Sequence, residues 1–372
     1  MQRSKARRNT AIALFSSVPA VAGLLFFISS SERSEYIPLP APLPTQEERK
    51  APARVVPNVV KAVYVTMHTA AQGEKMSRLI ELVNKTELNA MVIDVKGSQG
   101  ELAFGMLDVG ELVQRLHQEG IYAIARVVVF QDDSAVQRVP QAVIQRKGGG
   151  VWRDNRGFAW LDPAGEEGWE YIFDVSRRAL DAGFDEINYD YIRFPSDGRI
   201  DLAVYPAWKE ETPRHEVIAR FARTAREALK AHAPDMQLSI DIFGYSFLQS
   251  DDLGIGQKLE DLVEPFDGVY PMVYPSHYKS GNFGFANPAE HPYEVVSETL
   301  GAGLERFGDK AAVYAKKIRP WLQAFDLGAI YSPEKMKAQI QATHDALGDN
   351  STGWLLWDPG NEYERAETYL SK

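Results

Sequence analysis

From Val59 onward the chain alternates two kinds of hydrophobic pattern. Short, almost continuously apolar runs rich in β-branched residues occupy Val59–Met67, Ala90–Val95, Tyr122–Phe130, Glu186–Ile192, Gln237–Phe243, Gly268–Tyr274, Ala311–Ile318 and Gly353–Trp357. Between most of them, apolar positions recur every three to four residues, at Lys75–Lys85, Leu107–Glu119, Gly168–Ala182, Arg214–Ala233, Pro292–Phe307 and Pro333–Leu347. Runs apolar on both faces predict strands covered on both sides, which is the environment of a parallel sheet. Eight such strands separated mostly by helices, over about 310 residues, predict one (β/α)8 TIM barrel of the α/β class. An open doubly wound sheet would usually place a glycine-rich phosphate loop after its first strand, and Thr66-Met67-His68-Thr69 offers none. The long segment Gln131–Gly168, with Gly148-Gly149-Gly150, reads as a βα loop that extends the C-terminal face of the barrel.

The N-terminus follows a different rule. Arg3, Lys5, Arg7 and Arg8 precede an apolar run from about Ala11 to Ile28, broken only by small or hydroxyl residues and Pro19. A basic end followed by such a run predicts a single membrane-spanning anchor or a secretory signal, with the remainder outside the cytoplasm. No convincing small-x-small cleavage site follows it, and the run is long for a signal core. The segment after it, with Pro38-Leu39-Pro40-Ala41-Pro42-Leu43-Pro44, reads as an extended tether. The expected organisation is therefore a signal anchor or signal peptide at 1–35, a Pro-rich linker at 36–57 and the barrel domain at 58–372. The expected location is the cell membrane, single-pass with the barrel extracytoplasmic, or secretion after cleavage.

Composition narrows the chemistry. An apolar share of 45% and a charged share of 25% are those of a soluble globular domain. The formal charge is −10 although much of the basic charge lies at the extreme N-terminus. The folded part is thus more acidic still, which argues against a nucleic-acid partner. With no cysteine, disulfides, thiolate metal sites and thiol catalysis are excluded. His68 and His277 stand far apart in sequence and predict no metal site, and nothing in the chain calls for a cofactor.

In a barrel of this kind, reactive groups sit at the C-terminal strand ends. The strand ends here hold Asp94 and Lys96, Arg126, then Asp190-Tyr191-Ile192-Arg193, Asp241, Tyr274 and Trp357-Asp358, with Trp160, Trp321 and Gln323 nearby. Period-two alternation puts Asn188 with Asp190, and Ser239 with Asp241, on one face of their strands. If both faces are the barrel interior, Asp190 and Asp241 share a rim on adjacent strands. Two carboxyls among aromatics and polar donors suit glycosidic bond cleavage, in which one protonates the leaving oxygen and the other attacks the anomeric carbon or activates water. Arg193, beside Asp190, marks Asp190 as the nucleophile or base. Asp241, flanked by Ile240, Ile242 and Phe243, is by elimination the general acid. Trp160, Tyr191, Tyr274, Trp321 and Trp357 are candidates to stack on sugar rings, and Arg126, Arg193 and Gln323 to bind hydroxyls or hold carboxylates ionised. The expected partner is a polysaccharide or oligosaccharide. A non-catalytic carbohydrate-binding barrel of the cell envelope is the alternative.

The chain resembles the bacterial putative glycoside hydrolase domain family of the TIM-barrel glycosidase clan. The resemblance runs from about Val60 to Tyr363, through Asn89–Lys96, Ile124–Phe130, Trp160-Leu161-Asp162-Pro163, Phe184–Pro195, Ser239–Gly244, Pro271–Tyr278, Arg319–Gln323 and Trp357-Asp358. It implies a (β/α)8 barrel distantly related to the α-amylase clan, with a strand-four Asp as nucleophile and a strand-five acid as proton donor, here Asp190 and Asp241. Amylase-type enzymes carry Glu as the strand-five acid, so Asp241 would sit about one methylene further back. They also have a transition-state-stabilising Asp after strand seven, where this chain reads Arg319-Pro320-Trp321; Asp94 or Asp358 would have to substitute.

Overall fold

A computed structural model describes residues 56–370. Eight parallel strands close into a barrel: β1 Val60–Val65, β2 Ala90–Lys96, β3 Tyr122–Val128, β4 Glu186–Asp190, β5 Gln237–Phe243, β6 Gly268–Met272, β7 Trp321–Gln323 and β8 Gly353–Trp357. Each pairs with its neighbours in chain order, and β1 pairs with β8 to close the ring. Closure brings β8 against the first strand so tightly that a Cβ on Gly353 would lie 1.8 Å from the Val60 carbonyl oxygen; its φ of +113° also favours glycine.

The long helices are α1 Gly73–Lys85, α2 Val109–Gln118, α3 Glu166–Asp181, α4 Arg214–His232, α5 Pro292–Arg306 and α6 Pro333–Leu347. Their apolar stripes and the outward strand residues make one core layer between barrel and helices. A second, smaller cluster fills the barrel interior with Ala62, Tyr64, Ala90, Val92, Tyr122, Ile124, Tyr270 and Leu355 among others. Strand β2 is buried along its whole length, as a strand covered on both faces must be.

Two elements depart from the sequence reading. Ala311–Ile318 was expected to be a strand, but Ala311–Ala315 is a short helix, and the seventh strand lies later, at Trp321–Gln323. Three alanines in Ala311-Ala312-Val313-Tyr314-Ala315 favour helix over strand, and Pro320 sets the extended entry to β7. The segment 131–165 is not a bare loop. It carries a helical turn at Ala135–Arg138 and the Gln145–Arg146 half of a two-stranded ribbon completed by Ala203–Val204. The expected anchor at 1–35 and nearly all of the expected linker lie outside the described residues. Among the described residues no helix is long and apolar enough to cross a membrane.

Candidate active site

Register decides which side chains meet. Asp94 lies beside Arg126, Arg126 beside Asn188, and Asn188 beside Ser239. Tyr189 pairs with Ile240, so the next residues, Asp190 and Asp241, are neighbours at the C-terminal end of the barrel. Alternation turns Asp94, Arg126, Asn188, Asp190, Ser239 and Asp241 inward, and Tyr189 and Ile240 outward.

The hub is Arg126. Its Nη1 donates to Asp94 Oδ1 at 2.6 Å, its Nη2 to Asp190 Oδ2, and its Nε lies 3.8 Å from Asp241 Oδ2. Tyr64 on β1 donates its hydroxyl to the other oxygen of Asp94 and lies 5.5 Å from the Arg126 guanidinium across its ring. Asp190 Oδ1 accepts the backbone N–H of Tyr191 at 2.6 Å. Asp241 Oδ1 accepts two donors, Asn188 Nδ2 at 3.0 Å and the Trp321 indole N–H at 2.7 Å.

Three carboxylates around one guanidinium cannot all be neutralised. Burial, and then the neighbouring Asp190 charge, push the Asp241 pKa well above the usual carboxylate range, against the opposing pull of Arg126, Asn188 and Trp321. Burial also raises Asp94. Burial alone would lower Arg126, but Asp94 and Asp190 reverse this and hold it firmly protonated. The Asp241 side chain is only 2% exposed, against 9% for Asp190 and 15% for Arg126. Both oxygens of Asp190 receive donors, whereas Asp241 Oδ2 has only the distant Arg126 Nε. A proton on Asp241 therefore belongs on Oδ2, the oxygen facing Arg126.

Two aromatic groups flank this cluster. After β6 and at the ends of β7 and β8, Trp357 packs on Tyr274 with centroids 4.7 Å apart and meets Phe325 edge-on at 5.1 Å. His277 completes that group; burial lowers its pKa to about 4, so the imidazole is neutral at pH 7. On the β4 side, the Arg193 guanidinium lies 4.9 Å over Trp160, 5.1 Å over Tyr191 and 5.0 Å over Phe243.

Of the residues singled out from sequence, Asp94, Arg126, Asp190 and Asp241 come together directly, and Tyr191 joins through its backbone. Trp321 also reaches the cluster, though not as a platform: its N–H is spent on Asp241 and it is 2% exposed. Arg193 does not pair with Asp190. Its Nη1 donates to the Phe194 carbonyl and to Ser196, and the cation on Asp190 is Arg126 instead. Lys96 is turned away from the interior. A β-bulge between Asp94 and Lys96 breaks the alternation, and Lys96 is fully buried against Asp132 at 2.9 Å and the Val128 carbonyl. Gln323 is likewise buried, bonding the Ser276 N–H and the Phe325 carbonyl. Trp160 donates to Asp154 and is 2% exposed. Asp358 accepts the Gly360 N–H of its own loop; burial lifts its pKa to about 6. With β7 ending at Gln323, the acid after strand seven is Asp326, which accepts the Tyr331 N–H and faces Arg365 on the rim.

Tyr64, Asn188, Phe325 and His277 were not singled out as site residues by sequence. Alternation along Val60–Val65 would have found Tyr64, since it places Ala62 and Tyr64 inward together. No local signal marks Phe325. Among the described residues, no group of three or more His, Cys, Asp or Glu is arranged to hold a metal ion.

Residues 62–363 match the family described as "Putative glycosyl hydrolase domain". Among solved structures, an α-galactosidase from Thermus thermophilus in complex with stachyose aligns over 86% of this chain and 66% of its own, at 16% identity and TM-score 0.53. An α-galactosidase from Geobacillus stearothermophilus aligns over 84% of this chain and 40% of its own, at 10% identity and TM-score 0.52. This chain thus spans less than two thirds of either enzyme, and at such identities the likeness shows the barrel fold. A hypothetical protein from Ruminiclostridium thermocellum is 29% identical over 52% of this chain and 98% of its own, with TM-score 0.43. No curated protein sequence gives a significant match.

Proposed function

The chain belongs to the putative glycosyl hydrolase domain family, and from that premise we propose that it hydrolyses O-glycosidic bonds of an oligosaccharide or polysaccharide, with Asp190 as nucleophile or base and Asp241 as general acid. The observation that carries this reading is the contrast between two neighbouring carboxyls facing one guanidinium. Asp190 is held by a cation and a backbone N–H, whereas Asp241 is buried with an elevated pKa.

The chemistry then balances as follows. Asp241 Oδ2 gives its proton to the glycosidic oxygen as the bond from that oxygen to the anomeric carbon breaks. Asp190 either bonds to the anomeric carbon or takes a proton from a water that does so. In the first case a water later attacks the same carbon, gives its proton to Asp241 and releases Asp190. Arg126 and the Tyr191 N–H disperse the charge on Asp190 throughout. Asp94, oriented by Tyr64, fixes the guanidinium from the far side. Trp357 and Phe325, both partly exposed, form the wall on which a sugar face would stack.

The N-terminal sequence pattern supports an extracytoplasmic site of action, by membrane anchorage or secretion. The test is turnover by residues 56–372 on a panel of p-nitrophenyl glycosides, stachyose and bacterial polysaccharides, with Asp190→Asn and Asp241→Asn alongside. Loss of turnover in both variants with glycan binding kept supports the reading, and the anomer released first assigns Asp190 as nucleophile (retention) or base (inversion). Glycan binding with no released reducing end from any substrate would leave the carbohydrate-binding scaffold instead.

A further inference from the structure

Tyr191 adopts left-handed backbone geometry, with φ of +53°, directly after Asp190. An aromatic residue rarely takes that conformation, because Cβ crowds the backbone there. Such strain persists only where surrounding contacts over-determine it, and it concentrates at functional positions. The other non-glycine residues with positive φ among those described are Leu253, Phe283 and Asn361. None of these adjoins a carboxylate on Arg126.

The strain has a visible product. The peptide between Asp190 and Tyr191 presents its N–H to Asp190 Oδ1 at 2.6 Å and its carbonyl to the ladder bond from Val129 at 2.9 Å, and relieving the positive φ by flipping that peptide would turn the N–H away. One carboxylate oxygen is thus fixed by its own successor's amide and the other by Arg126. The contacts that hold the turn are also visible. The Tyr191 ring packs 5.9 Å from Trp160, and the Arg193 guanidinium, 8% exposed, lies over both. Trp160 is anchored by its N–H to Asp154 Oδ2 at 2.9 Å, and Gln131 donates to the same oxygen at 2.7 Å. Asp154 Oδ1 in turn takes the N–H groups of Arg156 and Phe158.

We propose that Tyr191 is a positioning residue: its amide N–H sets the Asp190 carboxylate, its left-handed conformation keeps the Asp190–Tyr191 peptide in the orientation that this needs, and the Asp154–Trp160–Arg193 brace holds that conformation. The catalytic consequence rests on the hydrolase reading above; the hydrogen bond itself does not.

The test uses the ordering of three substitutions. Glycine occupies positive φ readily, alanine less so, and a β-branched residue worst of all. If the amide is what matters, Tyr191→Gly keeps kcat within about fivefold of the parent and raises KM, Tyr191→Ala loses about tenfold in kcat, and Tyr191→Val loses about 100-fold or more with KM little changed. A merely structural role for the ring reverses the order, because glycine leaves the largest hole and the loosest chain. Equal kcat losses in the three, or glycine the worst, overturns the proposal. Selective 15N-tyrosine labelling supplies a readout that needs no substrate. The Tyr191 amide proton is expected at low field, moving upfield in Asp190→Ala and in Trp160→Ala. An amide that ignores Asp190→Ala overturns the proposal. A low-field amide that responds as stated, in a protein that cleaves no glycan, keeps the positioning role and sinks the hydrolase reading.

Discussion

The two ends of the barrel interior solve the same electrostatic problem in opposite ways. At the N-terminal end, Glu186 accepts the hydroxyls of Ser239 and Tyr122 at 2.6 and 3.1 Å and that of Tyr270, with Arg319 at 3.6 Å. Arg319 also donates to the Tyr270 hydroxyl at 2.7 Å, so one anion and one cation close a neutral plug. At the C-terminal end, Asp94, Asp190 and Asp241 share the single Arg126. The same strands build both ends: β3 supplies Tyr122 and Arg126, β4 Glu186 and Asp190, β5 Ser239 and Asp241. Burial alone therefore does not distinguish a structural polar cluster from a reactive one. An unbalanced charge does, because on top of burial it pushes the pKa of one carboxyl, Asp241, upward.

The sharpest break of this comparison is kinetic. Asp190→Asn and Asp241→Asn should each lower kcat by about 10³-fold or more, in line with loss of a nucleophile or a general acid. Glu186→Gln, conservative in shape, should leave kcat within about threefold, since no reacting group touches Glu186. Steady-state kinetics on whichever glycoside the parent cleaves decides it. A Glu186→Gln enzyme that stays folded yet is as dead as Asp241→Asn would erase the distinction between the ends.

Stability should divide in the reverse sense. Glu186→Ala strands Arg319 and three hydroxyls in the interior and should cost about 3–5 kcal/mol in denaturant unfolding. Asp241→Asn should do the opposite. The pKa of Asp241 is raised in the fold, so the folded state keeps a proton that the unfolded chain loses above its ordinary value of 3.8. Stability of the parent thus falls as pH rises from 3.8 through the raised pKa and is flat beyond. Asparagine never ionises and still accepts from Asn188 and Trp321 through its amide oxygen. The variant should match the parent in the most acidic buffers and pull ahead in melting temperature as pH rises. An Asp241→Asn enzyme that is less stable than the parent at pH 8 would contradict the raised pKa.

How much of this was legible beforehand differs by level. The barrel was readable, since strands buried on both faces print themselves as apolar runs. The slip at Ala311–Ala315 arose because a helix buried on one side and a short strand look alike over five apolar residues. At the site, strand-end carboxylates stand out locally, so Asp94, Asp190 and Asp241 could be named from sequence. Their partners could not be assigned by proximity in the chain. Arg193 is three residues from Asp190 yet turns into a stack of rings, while Arg126, 64 positions away, makes the ion pair. Lys96 failed for a different reason: alternation assumes an unbroken ladder, and a bulge after Asp94 inverts it. The buried plug around Glu186 shows the limit most clearly. Glu186 lies four residues before Asp190 on the same face, and only three-dimensional accounting of donors separates them.

The smallest expected effect lies within the C-terminal end itself, between its charged and its aromatic parts. His277 sits among Tyr274, Phe325 and Trp357 with its pKa lowered to about 4 by burial. The fold keeps it neutral while the unfolded chain protonates at its ordinary 6.5, so its contribution is complete above 6.5 and is lost as pH falls towards 4. Asp358, one residue beyond Trp357, is raised to about 6, chiefly by burial, and works the other way: its contribution is complete below 3.8 and is lost as pH rises through about 6. Over nearly the same window the two slopes oppose each other, so between pH 4 and 6 this pair adds little to the fall that Asp241 imposes on the parent. Relative to the parent, His277→Phe should make the melting temperature fall more steeply over this window, and Asp358→Asn should make it fall less steeply or rise, each by a few degrees in scanning calorimetry. Parallel slopes in the two variants would mean that the aromatic group does not hold its histidine neutral, and that the whole C-terminal end, rather than the Arg126 cluster alone, carries unbalanced charge.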